Sequence, residues 1–211
     1  MRIYLVRHGE TAWNKEGRVQ GSEDIPLNEK GIELAEITSE GMKDIPMDVI
    51  FSSPLIRARK TAEIMRRGRD IPVIVDQRLQ EMSFGRYEGT VIRAAVQDKT
   101  NALHNFIRHP GEYKAMDGEE FSQVIGRAQN FIDEVLMPAE KRWQNVMLAS
   151  HGAFIRCFLR CIEARPLSEF WDGIPQRNCA VTILELDAGR LRILEEGKLY
   201  YEMQPDGSFR L

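Results

Sequence analysis

The sequence predicts an α/β fold: a three-layer α/β/α arrangement with a mainly parallel central sheet and a small helical cap-like insertion. Three observations carry this. Short apolar runs at 3–6, 48–53, 72–75 and 145–150 alternate with longer segments whose apolar residues recur at helical spacing, the pattern of strand–helix–strand units. The runs are apolar at consecutive positions, as in strands covered on both faces. Two of them end alike, in Arg7-His8-Gly9 and Ser150-His151-Gly152. Strand tips of a parallel sheet share one edge, and ligands sit there.

In chain order, Ile3-Tyr4-Leu5-Val6 forms the first strand and Gly9 breaks it. Residues 11–28 make a polar connection holding Gly17, Gly21 and Pro26, long enough to be a functional loop beside the strand tip. Asn28 caps a helix running to about residue 43, with Ile32, Ala35 and Ile37 as its apolar positions. The second strand runs through Pro54 into a helix over 55–67, with Leu55, Ala58, Ala62 and Met65 along one side. A third strand, an irregular segment over 76–89, helical pieces over 90–108 and a loop over 111–117 follow. Residues 84–117 form the cap-like insertion.

The strongest helical pattern comes next. Asp117 caps it, Glu120 closes a capping box, and Met116 and Phe121 staple across it. Phe121, Val124, Ala128, Phe131 and Val135 then repeat at helical spacing up to Pro138. The fourth strand leads into a helix burying Phe154, Ile155, Phe158 and Leu159. Two last strands, 180–186 and 191–195, meet at Asp187-Ala188-Gly189, a hairpin signal. One domain over 1–211 is expected, with no internal repeat and no linker-like tract.

Composition narrows the function classes. A net charge of −3 gives no basis for a nucleic-acid or acidic-membrane surface, so an anion site must be a local cluster of cations. Cys157, Cys161 and Cys179 are too few for a disulfide framework and read as reduced core residues. No apolar leader precedes the first strand and no apolar run is long enough to span a bilayer. A cytoplasmic protein is expected. No metal or other cofactor is signalled: His104 and His109 stand five apart, off a shared helix face, and neither an H-E-x-x-H motif nor a Walker-type loop is present. Oligomeric state is left open.

The strand tips bring Arg7, His8 and His151 together, and Arg57 enters from the first turn after the second strand. Four such polar heads packed without a counter-anion would suffer desolvation and like-charge repulsion. A phosphate dianion neutralises them. Guanidinium forks suit phosphate oxygens, and an imidazole kept unprotonated by neighbouring cations is a nucleophile. A leaving alkoxide would need a proton from a carboxyl group. The residues alone leave open an enzyme that moves a phosphoryl group and a protein that only binds a phosphorylated ligand.

Four ordered motifs sharpen the choice: LVRHGET with Trp13-Asn14, FSSPLIRARKTA, LQEMSFGRYEG and ASHG. Together they resemble the histidine phosphatase (phosphoglycerate mutase-like) superfamily, over nearly the whole chain. The resemblance implies that His8 takes up the phosphoryl group, that Arg7, Arg57 and His151 hold its oxygens, and that Glu81 donates the proton. It also implies Asn14 and Gln20 as substrate-binding residues from the loop, and a small phosphorylated substrate.

Phosphatases and mutases share this machinery. Phe84-Gly85-Arg86-Tyr87-Glu88-Gly89 is similar to the phosphatase form of its motif, because Thr90-Val91-Ile92 stands where mutases usually carry an Asn-Lys pair. Val19-Gln20-Gly21 followed by Asp24-Ile25-Pro26-Leu27 resembles the small bacterial-type phosphatases. Ser22 departs from relatives, where an aromatic residue is common, and implies a more open pocket. A phosphomonoester hydrolase is therefore expected, with a cofactor-dependent phosphoglycerate mutase and a non-catalytic binder as alternatives. Arg18, Arg86, Arg93, Arg108, His109 and Lys114 are the cations available to a second anionic group on the substrate.

Overall fold

The structure, a computed structural model, describes residues 1–203 and 209–210. Six strands form one sheet: β1 (Arg2–Arg7), β2 (Val49–Ser52), β3 (Val73–Val75), β4 (Asn145–Ser150), β5 (Val181–Asp187) and β6 (Arg190–Lys198), in the order β3-β2-β4-β1-β5-β6. The first four run parallel, and the β5–β6 hairpin adds an antiparallel edge beside β1. The hairpin turn is tighter than the three-residue signal suggested. Only Ala188 and Gly189 lie in it, both at positive φ (49° and 71°), as a twisted two-residue hairpin turn requires.

Side chains alternate across each strand and so divide the core. Ile3 and Leu5 of β1 join Phe51, Val146, Leu148 and Leu184 on one face, against helices α6 (Phe121–Phe131) and α7 (Gly152–Arg160). Tyr4 and Val6 join Ile50, Met147 and Ala149 on the other, against α3 (Ile56–Arg66), beside which α2 (Glu29–Gly41) packs. That is the expected three-layer arrangement. The polar connection after β1 holds a short helix, α1 (Ala12–Lys15), capped by the Thr11 side chain accepting from the Asn14 N–H. The insertion supplies α4 (Ile92–Ala95) and α5 (Ala102–Arg108), and Phe106 of α5 stacks on Phe121 at the start of α6.

Two local expectations give way to longer-range contacts. Helix α6 begins at Phe121, with Glu120 as its cap and the Glu120 N–H donating to Gln123 Oε1. Asp117 is not the cap, because its two carboxylate oxygens accept from the backbone and guanidinium of Arg86. Met116 is 64% exposed, so no staple forms across the helix start. In α2 the buried positions are Gly31, Leu34, Ala35, Thr38 and Ser39, while Ile32 and Ile37 only flank the core. The two hydroxyls tolerate burial because they bond to the carbonyls of Cys179 and Ile64.

The tip of β1 touches α2 backbone to backbone. A Cβ on Gly9 would overlap the Gly31 carbonyl, and one on Gly31 would overlap the backbone of Glu10. Gly126, inside α6, has open space where a Cβ would go. Two alanine substitutions should therefore have opposite signs in urea unfolding. Gly31→Ala should cost about 1–3 kcal/mol by forcing strand tip and helix apart. Gly126→Ala should add about 0.5–1 kcal/mol by favouring the helix.

Candidate active site

Strand register explains why distant residues meet. Arg7 pairs with Ser150, and Ser52 with Ala149, so β1, β4 and β2 end level. The ladder continues one residue beyond each tip: the His8 N–H donates to the Ser150 carbonyl, and the Ser53 N–H to the Ala149 carbonyl. His8, Ser53 and His151 therefore emerge side by side, with the His8 and His151 ring centroids 5.1 Å apart. Arg57 reaches the same place from the first turn of α3.

Each imidazole has its tautomer fixed. His8 Nδ1 lies 2.7 Å from the carbonyl of its neighbour Gly9 and donates to it, which leaves Nε2 with the lone pair. His151 Nδ1 accepts from Arg57 Nε at 3.2 Å, and its Nε2 then donates to Ser53 Oγ at 2.7 Å. Burial first, then the Arg57 and Arg7 charges, hold His8 well below the ordinary imidazole pKa. Burial and Arg57 do the same to His151. Both rings are neutral at neutral pH.

The two guanidinium groups are held differently. Arg57 has no exposed surface; Nη1 and Nη2 donate to the carbonyls of Glu23 and Gly21, and Nε to His151. Burial lowers its pKa only to about 10, so the charge stays. Arg7 donates from Nη1 to the Gln176 carbonyl, while its buried Nε has no partner among the described residues. Unlike the other buried unpaired arginine nitrogens among the described residues, those of Arg66 and Arg160, this one belongs to a residue on the cavity wall.

Glu81 lies at the amino end of α7. Its oxygens accept from the N–H groups of Met82, Ala153 and Phe154. Arg127 of α6 secures that segment by donating to the carbonyls of Arg78, Gln80 and Glu81 while pairing with Glu119. In the loop, Asn14 and Gln20 both turn their amide oxygens to Thr11, and Asn178 also donates to Asn14. Their amide NH2 groups are left as donors. A cavity of about 330 Å³ opens here, with Arg7, His8, Asn14, Gln20, Arg57 and Glu81 on its wall. Glu81 is the one carboxylate among the described lining residues, so the wall carries excess positive charge.

His151 lies beneath Arg57, outside the residues that line the cavity, with Arg57 Nε and Ser53 Oγ on its two nitrogens. Ser22 is likewise turned away, its N–H and hydroxyl bonding to the Glu88 carboxylate. Sequence reading missed Thr11, Ser53, Arg127, Gln176 and Asn178 as site-building residues. The first two sit inside quoted motifs, while the others act across 46 to 169 residues of chain and leave no local signal. His104 and His109 come within 5.5 Å because α5 ends between them. Among the described residues no group of three or more His, Cys, Asp or Glu side chains could hold a metal ion.

A family-wide sequence model described as "Histidine phosphatase superfamily (branch 1)" matches residues 3–197, which include every residue of this site. The chain belongs to that superfamily. Among solved structures, YhfR of Bacillus stearothermophilus is 33% identical, with a TM-score of 0.88 over 94% of this chain and 97% of that one. "Phosphoserine phosphatase 1" of Hydrogenobacter thermophilus is 28% identical over 92% of this chain and 91% of its own length. "Probable phosphoglycerate mutase GpmB" of Shigella boydii is 30% identical over 86% of this chain and 83% of its own. The chain is thus an enzyme of the phosphatase and mutase type found in the histidine phosphatase superfamily, and no helix among its described residues is long and apolar enough to cross a membrane.

The neutral imidazoles couple stability to pH. Their pKa values are depressed in the folded chain, so below the ordinary value of 6.5 the unfolded chain binds more protons. Stability should be fully present above about pH 6.5 and fall as pH drops toward the folded values, by at most about 1.4 kcal/mol per pH unit for each ring. Urea midpoints from pH 7 to pH 5 should show a flatter acid limb in His8→Asn than in the wild type.

Proposed function

We propose that the protein is a metal-independent phosphomonoester hydrolase working through a phosphohistidine on His8. The observation that carries this reading is the state of His8: neutral, its Nδ1 tied to a carbonyl, its other nitrogen free beside two permanent cations. The substrate phosphate enters between Arg7 and Arg57, and Asn14 and Gln20 donate to it from the loop. His8 Nε2 attacks phosphorus as the ester P–O bond breaks. The equatorial oxygens meet the guanidinium groups, which supply the charge stabilisation that metal ions supply elsewhere. His151 acts through Arg57, holding its guanidinium toward the phosphate.

Glu81 gives the leaving alkoxide its proton in this first step. In the second, water attacks phosphorus, Glu81 takes up its proton, the N–P bond breaks and inorganic phosphate leaves. The fixed imidazole and the helix-anchored carboxyl need little rearrangement between the steps. The GpmB relative gives the mutase reading its support. A mutase would return the phosphoryl group to a phosphoglycerate instead of to water.

Product analysis separates these readings. In excess chelator, the wild type should release inorganic phosphate from alkyl phosphates, and His8→Ala should not. Isomerised 3-phosphoglycerate with little free phosphate, in the presence of 2,3-bisphosphoglycerate, would instead establish the mutase. Glu81→Gln should slow alkyl ester hydrolysis by about 10²–10⁴-fold and nitrophenyl phosphate far less, because nitrophenolate leaves without a proton. Equal losses would remove Glu81 from the acid role.

A further inference from the structure

The cavity continues past the phosphate end, and its chemistry changes there. Phe84, Ile92, Leu103, Phe106, Ile107 and Trp171 contribute to its wall. Most come from the insertion, and the wall is braced: Trp171 Nε1 donates to the Phe106 carbonyl at 2.7 Å, and the Phe106 ring meets Phe84 and Trp171 edge to face. The loop carrying Arg18 and Val19 is tied to the insertion by backbone bonds at Gly89, Thr90 and Ile92.

Two further cations reach the wall, and both already have an acidic partner. Arg18 pairs with Glu16 and donates to the Gly89 carbonyl. Arg156 is bound by Glu196 and by the carbonyls of Asp172 and Ile174. The other cations that the sequence offered for a second anion are elsewhere: Arg86 pairs with Asp117, and Arg93, Arg108, His109 and Lys114 are exposed and off the wall. A carboxylate on the substrate's alcohol part would lose its water and, beyond the Arg7 and Arg57 groups taken up by the phosphate, meet only cations already paired among the described lining residues. An aromatic or branched alkyl group would bury its surface favourably.

We infer that the substrate is a phosphate monoester of an apolar, aromatic or branched alcohol carrying no second anionic group. This rests on the hydrolase reading and deepens it. Compact carboxylated esters, of the phosphoserine and phosphoglycerate kind, fit the phosphate end but not the rest of the cavity.

The test compares 2-phenylethyl phosphate, ethyl phosphate, O-phosphoserine and 3-phosphoglycerate. Equilibrium binding to His8→Ala, which needs no turnover, decides the inference. 2-Phenylethyl phosphate should bind at least about tenfold tighter than ethyl phosphate, reflecting the buried ring, and tighter than either carboxylated ester. Tighter binding of O-phosphoserine or 3-phosphoglycerate, or equal binding of the phenylethyl and ethyl esters, would overturn it. Phosphate release by the wild type tests the hydrolase reading separately. Ile107→Lys, a substitution at a half-buried wall position, should shift the kcat/KM ratio toward 3-phosphoglycerate by at least about tenfold by providing the missing cation. An unchanged ratio in the folded variant would also count against the inference.

Discussion

Arg57 has no exposed surface, yet its charge survives at neutral pH because burial lowers its pKa only to about 10. Burying a guanidinium is tolerable only when its donors are satisfied. Here two loop carbonyls and one imidazole nitrogen do that, from residues 21, 23 and 151. The group thereby joins the first turn of α3, the loop after β1 and the tip of β4. Three parts of the chain are held in place by the same charge that, in the proposed mechanism, meets the phosphate.

The rest of the site follows from that arrangement. Burial, and then the fixed cation near His8, favour the neutral ring, and a neutral ring with Nδ1 occupied has one nitrogen left to react. Arg7, half satisfied, is the second guanidinium that the proposed mechanism places on the phosphate. Glu81 enters from the opposite layer, anchored at the start of α7 and secured behind by Arg127. In the proposed mechanism, preorganisation of this kind lets the second step reuse the groups of the first.

Much of this was legible in the sequence. Apolar runs ending in Arg-His-Gly and Ser-His-Gly located two strand tips, and parallel pairing then required them to meet. The wide spacing of the motifs did not hide them, because each is local. What escaped were contacts made by ordinary residues across the fold. Asp117 has the sequence context of a helix cap but is claimed by Arg86, and Thr38 and Ser39 occupy buried positions because carbonyls from distant segments receive them. The residues lining the distal cavity, Phe106 and Trp171 among them, have the composition of any apolar core. Only the fold distinguishes a wall from an interior.

The most direct measurement is a single-turnover quench with enzyme in excess over nitrophenyl phosphate, in chelator, followed by mapping of acid-labile phosphate onto peptides. The account predicts a burst of nitrophenol matched by phosphate on the peptide containing His8, before inorganic phosphate appears. Nitrophenol and free phosphate appearing together, with no phosphate on His8, would contradict it.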